Sequence, residues 1–379
     1  MAQMTVKEQE AYLKKLIEYG DSIKTDKGLV DEILCEHLNN IPHKKLYKFR
    51  TCSKQNFKIL EENCIWMPPA STFKDIFDAA INIDLKVNAP KIEEWLNSNY
   101  LSFSFTFIKD LYATNDIEPP FTPEDLQEYI EKCTTTSGDI LLDQEYKFMK
   151  KFFPPEIMDE YDVQINQMRT VRNQLMDKIK VKLETIITEV LNVINELRFH
   201  LRNTMLTYCM TERFDNNNLW ESYADDYKGF CIEYCFENFQ NKLFDDYKNL
   251  IYLLPMIYRK RIPYFDIVPF IDIAMRNYFF HEDSFENDPF LFTALNMQMF
   301  YKNKDYESEH EWRFSIQNKQ NNKQPFPFVS AIYVGKDIKP RNLIRLKSIA
   351  KKLEVPVYKQ EFNRSKNGYD YKLVKEHSK

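Results

Sequence analysis

Eleven apolar residues recur at intervals of three or four: Met168, Val171, Leu175, Ile179, Leu183, Ile186, Val190, Ile194, Leu197, Leu201 and Met205. That spacing puts them on one stripe of an α-helix and predicts one amphipathic helix of roughly ten turns. Such a helix must lie against something. It is either a core-facing helix or hairpin packed on a main domain, or a seam for a homodimer or another partner. Pro119, Pro120, Pro123, Pro154 and Pro155 break the helical pattern ahead of it, so residues 90–204 read as a helical insertion that ends in the long helix.

Strand signals flank the insertion. Residues 1–45 read as an N-terminal cap of two short helices broken at GDSIKTDKG. Residues 46–89 begin with LYKFR as a strand, QNFKILEEN as an amphipathic helix and CIWMPP as a strand stopped by two prolines. Residues 205–379 give LTYCMTE as a strand, LWESYADDYK as a helix and GFCIEYC as a strand. Helices between about 237 and 300 follow, interrupted by Pro255, Pro263, Pro269 and Pro289. WRFSI, SAIYVG and VPVYKQEF then read as strands, with KPRNLIRLKSIAKKLE a helix between the last two. The two flanking stretches form one α+β core around the insertion.

Composition excludes several chemistries. Only six glycines occur in 379 residues, and no two are spaced for GxGxxG or a phosphate-cradling P-loop. None of the six histidines sits in HExxH, and no GxSxG elbow occurs. Seven cysteines without a CxxC pair argue against a disulfide framework or a zinc ribbon and for reduced thiols. A net charge of -5 leaves no global basic field for nucleic acid or anionic lipid. The charged N-terminus and the lack of a long uncharged apolar run point to a cytoplasmic, unprocessed protein with no membrane contact.

YESEHEWRFSI, residues 306–316, is the densest chemistry. Read as a strand, it puts His310, Trp312, Phe314 and Ile316 on one side and Glu307, Glu309, Glu311, Arg313 and Ser315 on the other. The charged side is either a site or a solvated row of ion pairs. Lys48 and Arg50 share a strand face with Leu46, and Trp220, Tyr223 and Tyr227 form a helical stripe that serves as core or as a ligand platform. Asp75, and Asp84 with Lys86 in D-x-K order on an expected strand, would suit a metal-dependent nuclease or a solvated edge. Arg341, Arg345, Lys347, Lys351 and Lys352 on the late helix, and Arg169, Arg172, Lys178, Lys180 and Lys182 on the long one, are candidates for nucleic-acid contact or solvated faces.

Taken together, LYKFR, CIWMPPASTFKD, TYCMTERFDNNNLWESYADDYKGFCIEY, YESEHEWRF and SAIYVG resemble a large bacterial domain-of-unknown-function family, number 2971. The resemblance covers residues 46–80 and 205–362. Its most specific parts are the block from Trp220 through Gly229–Phe230 and the E-x-E-W-R block at 309–313. The chain departs from the family at Lys74, Asp75, Ile76, Phe77 and Asp78, where Asn-Asp-Pro-Phe-Glu is usual, and at Thr211, where serine is usual. An ENDPF run occurs instead at Glu286–Phe290, where it reads as a helix start.

The order of these pieces is also similar to ADP-ribosyltransferases, which bind NAD without a Gly-rich loop. That resemblance implies a mixed-sheet ADP-ribosyltransferase-like core and transfer of ADP-ribose from NAD to a macromolecular acceptor, in toxin action or phage defence. It implies Glu311 as the catalytic carboxylate and Glu309 as the acid that positions the nucleophile. Thr211 would support the ribose, Lys48 or Arg50 with Arg313 would contact the cofactor, and Trp220 or Tyr223 would stack on nicotinamide. The competing class is a non-catalytic module that binds a nucleotide or a nucleic-acid end.

Overall fold

The structure is a computed structural model that describes residues 5–22, 27–73, 81–114, 122–135, 139–151, 158–237, 248–280, 289–317, 321–363 and 368–374. Asp75 and the altered loop at Lys74–Asp78 lie outside the described residues. The chain is a mixed α/β protein that divides into two compact units, Met1–Asn82 with Arg198–Pro263 and Phe292–Lys379, and Ile83–Leu197 with Tyr264–Leu291.

The first unit carries helices α1 (Val6–Ser22), α2 (Lys27–Asn39) and α3 (Lys54–Glu61) and strands β1 (Lys45–Arg50) and β2 (Cys64–Trp66). The second unit contributes α4 (Leu85–Thr114), α5 (Pro123–Cys133), α6 (Leu142–Met149) and most of α7 (Met158–Thr204). The chain continues through β3 (Met205–Thr211), α8 (Asn217–Tyr223), β4 (Phe230–Cys235), β5 (Leu253–Pro255), β6 (Ile257–Arg259), α9 (Val268–Phe280) and α10 (Pro289–Gln298). It ends with β7 (Tyr301–Asn303), β8 (Glu311–Gln317), β9 (Lys323–Pro325), β10 (Val329–Val334), α11 (Pro340–Leu353), β11 (Val357–Asn363) and β12 (Gly368–Leu373).

Eight strands form one sheet in the order β12-β11-β10-β4-β1-β3-β8-β5. The β10–β11 pair is parallel, as the α11 crossover between them requires, and the other pairs are antiparallel. β1 and β4 sit in the middle, and Phe230 to Tyr234 are buried on both faces. On one face of the sheet Tyr47, Phe49 and Cys231 pack against Leu219, Trp220, Ala224 and Tyr227. The buried carboxylate of Glu233 on this face accepts hydrogen bonds from Tyr47, Tyr333 and Ser330.

In the second unit the α7 stripe from Met168 to Ile194 is buried within the chain, so it faces core. The helix stops at Thr204, and Met205, expected as its last apolar residue, opens β3 instead. Buried Glu145 on α6 accepts from Tyr129 of α5 and pairs with Arg169 of α7, which removes Arg169 from the basic face expected of that helix. Asp84 and Lys86 are not on a strand. The Asp84 carboxylate accepts from the Lys86 amide at 2.8 Å at the start of α4 and works as a helix cap.

Two further expectations are corrected. Residues 237–300 are not helical throughout: β5 and β6 lie there, as short strands of three residues without a readable alternation. The helix at LWESYADDYK ends at Tyr223, because Asp225, Asp226 and Tyr227 all take left-handed backbone conformations, with φ of 51°, 50° and 62°. That turn lies against Gly229 and Gly335, where backbone passes too close for a side chain. A Cβ on Gly335 would meet the Tyr227 carbonyl oxygen at 2.0 Å.

Candidate functional site

β1 and β3 are sheet neighbours with one registered pair, Tyr47 opposite Thr211, whereas β1 pairs with β4 over six positions and β3 with β8 over seven. Beyond that pair the ladder is missing. The β3 backbone finds other partners: the Thr207 amide donates to Pro68 O at 2.9 Å, and the Cys209 carbonyl accepts from Lys48 Nζ at 2.5 Å. A cavity of about 540 Å³ opens here, lined by residues 47–50 of β1 and 207–211 of β3.

One wall is cationic. Lys48 Nζ and the Arg50 guanidinium lie over the Tyr208 ring, at 5.0 Å and 5.3 Å from its centroid. Neither has a carboxylate partner among the described residues. Burial, followed by the neighbouring Arg50, lowers the Lys48 ammonium to about 8.

The facing wall is a charge network. Lys302 Nζ lies 2.7 Å from Glu309 Oε2 and 2.5 Å from Glu311 Oε2, and Glu311 Oε1 lies 2.7 Å from Arg313 Nε. Burial alone would push the Glu311 carboxyl up, but Arg313 and Lys302 outweigh it and hold the group well below the usual carboxylate range. Lys302 is raised, since the two glutamates outweigh its own desolvation. The Glu311 amide donates to Tyr258 Oη at 2.8 Å, which anchors the backbone of this wall.

The expected strand over residues 306–316 is real only from Glu311 onward. Residues 304–309 form a 3-10 turn, and His310 has a left-handed φ of 43°. Glu309 therefore comes from the turn and Glu311 from β8, yet Lys302 brings them together. The charged side is not a solvated row, because Glu311, Arg313 and Ser315 are all buried. The Thr211 hydroxyl donates to the Glu309 carbonyl at 2.6 Å and accepts from the Arg213 amide at 3.2 Å, so it holds the turn that carries Glu309.

Of the residues singled out from sequence, Lys48, Arg50, Thr211, Tyr223, Glu309 and Glu311 line this cavity together. Trp220 and Arg313 do not. Trp220 is fully buried in the aromatic cluster, edge-on to Phe49 with 5.1 Å between centroids, and its Nε1 donates to Phe214 O at 2.8 Å. Arg313 stands behind Glu311 and donates to Met299 O at 3.2 Å. Tyr223, about half exposed, lines the cavity together with Tyr306 of the turn. Sequence reasoning missed Lys302 and Tyr258, which lie on β7 and β6, strands of three residues that carry no periodic signal.

Residues 219–314 match the model of DUF2971, a family of proteins of unknown function. The DUF2971 match starts in α8 and ends in β8, so it takes in Tyr223, Lys302, Glu309 and Glu311, the whole acidic wall. Lys48, Arg50 and Thr211 fall outside it. The match bears out the resemblance read from the Trp-to-Gly-Phe and E-x-E-W-R blocks. Neither a curated protein nor a solved structure matches the chain. Among the described residues no helix is long and apolar enough to cross a membrane.

Proposed function

We propose that the cavity binds NAD and that the protein transfers ADP-ribose from it to a macromolecular acceptor, working as an ADP-ribosyltransferase-like core in the cytoplasm. The observation that carries this reading is the division of charge in the cavity. Two half-buried cations without carboxylate partners, Lys48 and Arg50, face a wall that holds Glu309 and Glu311. NAD has the complementary ends, an anionic pyrophosphate and a cationic nicotinamide ring. Two cations in a desolvated pocket favour an anion strongly, and Tyr223 offers the flat surface a ring needs.

In this reading the bond between nicotinamide and ribose breaks heterolytically, nicotinamide leaves neutral with the electron pair, and positive charge grows on the ribose. Glu311, kept ionised by Lys302 and Arg313, stabilises that charge. The acceptor's nucleophile bonds to the ribose carbon while Glu309 takes its proton. A setting in toxin action or phage defence belongs to the proposal on the strength of the resemblance alone.

The test is nicotinamide release from NAD by the purified protein, with and without cell lysate, beside Glu309→Gln and Glu311→Gln. Release that needs lysate and disappears in both folded variants is the expected result. Absence of NAD binding and of release in every condition overturns the reading. The second reading, a non-catalytic nucleotide or nucleic-acid module, rests on the same two cations and predicts oligonucleotide binding that weakens steeply with salt. The late helix adds little to it, since Arg345 and Lys352 both pair with Glu61.

A further inference from the structure

We infer that Lys302 is the positioning residue of this site: its ammonium ties Glu309 of the turn to Glu311 of β8 and holds both carboxylates, charged, against the same cavity. The chemical use of that arrangement rests on the NAD reading above, but the arrangement itself does not.

Geometry gives Lys302 this role by itself. Glu309 and Glu311 belong to different elements separated by the left-handed residue His310, so no strand register aligns them. What they share is one nitrogen, bonded to Oε2 of each at 2.7 Å and 2.5 Å. Lys302 in turn is fixed by the parallel pairing of β7 with β6, which sets it opposite Tyr258, the residue that holds the Glu311 amide. Its side chain is nearly buried, so the ammonium is not a passing surface contact.

Electrostatics makes the tie necessary. Two carboxylates in one desolvated cluster do not both stay ionised without a cation between them; one takes up a proton. The other groups facing the pair cannot substitute. Arg313 meets Glu311 at its other oxygen, Oε1, 2.7 Å from Nε. Lys48 gives its ammonium to the Cys209 carbonyl across the cavity. The Cys209 thiol and the Tyr223 hydroxyl are each pushed up to about 12, and Tyr258 is raised as well, so all three stay neutral at pH 7. Without Lys302 the paired carboxylates would hold a proton to higher pH, and a reaction needing both a charge stabiliser and a proton acceptor would lose one of them earlier on its acid side.

The experiment compares full-length wild type with Lys302→Met and Lys302→Arg. Glutamate carboxyl carbons are labelled and titrated by NMR, with Glu309→Gln and Glu311→Gln used to assign the signals. In Lys302→Met the pair is expected to take up a proton at least ~1 pH unit above the wild-type midpoint, with Lys302→Arg restoring the wild-type curve. In nicotinamide release, the acid limb of kcat moves up by the same interval while KM for NAD changes little. Lys302→Gln replaces the methionine variant if the latter does not fold. Superimposable carboxyl titrations in wild type and the folded neutral variant overturn the inference. Wild type that releases no nicotinamide overturns the NAD reading alone, and the carboxyl titration still decides the role of Lys302.

Discussion

Tyr47 and Thr211 face each other as the one registered pair between β1 and β3, and the cavity begins where that contact ends. Both hydroxyls are already engaged: the Tyr47 hydroxyl donates to Glu233 and the Thr211 hydroxyl to Glu309 O. The pair is thus a hinge point between a sheet on one side and a gap on the other. Beyond it on β1, Lys48, Phe49 and Arg50 line the gap.

The proposed binding is expected to depend on pH through Lys48. Below its value of about 8 it is an ammonium, and above it the cavity loses one of its two unpaired cations. Affinity for NAD or for pyrophosphate is expected to be full near pH 7 and to fall as pH rises through 8 to 9. Lys48→Met should weaken binding about 10- to 100-fold at pH 7, the worth of a charge-assisted hydrogen bond, and remove the pH dependence. Calorimetric titrations of both proteins at pH 7 and 9 check this.

His37 links the fold to acid. It is buried, its Nε2 donates to Leu253 O at 2.7 Å and its Nδ1 accepts from Tyr12 Oη at 2.7 Å, and burial lowers it to about 4. The folded value lies below that of an unfolded histidine, so the unfolded chain takes the proton first. Its contribution to stability is therefore present above about pH 6.5 and is lost as pH falls through 4, by roughly 3 kcal/mol in all. Urea unfolding at pH 7, 6 and 5 should show a decline that is shallower in His37→Gln.

The left-handed turn after α8 limits what Asp226 and Gly335, the glycine packed against the turn, can tolerate. Asp226→Gly should change stability by no more than about 0.5 kcal/mol, whereas Asp226→Val, forced into φ 50°, should cost ~1–2 kcal/mol. Gly335→Ala, whose Cβ would press on the Tyr227 carbonyl, should cost ~3 kcal/mol or prevent folding. Thermal unfolding of the three variants tests the order.

What could be read in advance follows from the length of each signal. β1, β3, β4, β8, β10 and α11 announce themselves by alternation or by helical spacing over six residues or more, and the acidic pair 309/311 stands out by composition. Lys302 could not be read, because Tyr301–Asn303 is too short to show a period and its partners are set by tertiary structure. Trp220 and Tyr223 seemed interchangeable as ring platforms because both lie on one expected helix. The helix does set them apart, turning Trp220 into the aromatic core and Tyr223 outward. The charged side of YESEHEWRFSI read equally well as solvated, since spacing does not reveal that β3 and β5 flank β8.

The central place of β1 in the sheet also has a bearing on how the chain matures. Its two neighbours, β3 and β4, begin at Met205 and Phe230, so β1 waits for more than 150 further residues before either edge is covered. At translation speeds of about 5–20 residues per second, that wait is on the order of ten seconds or more. Pairings this remote in sequence are also slow to close once available. The cavity, with one wall from β1 and the other from residues beyond 300, comes into being only once synthesis has passed β8, and a product truncated before that point carries neither half of it in working form.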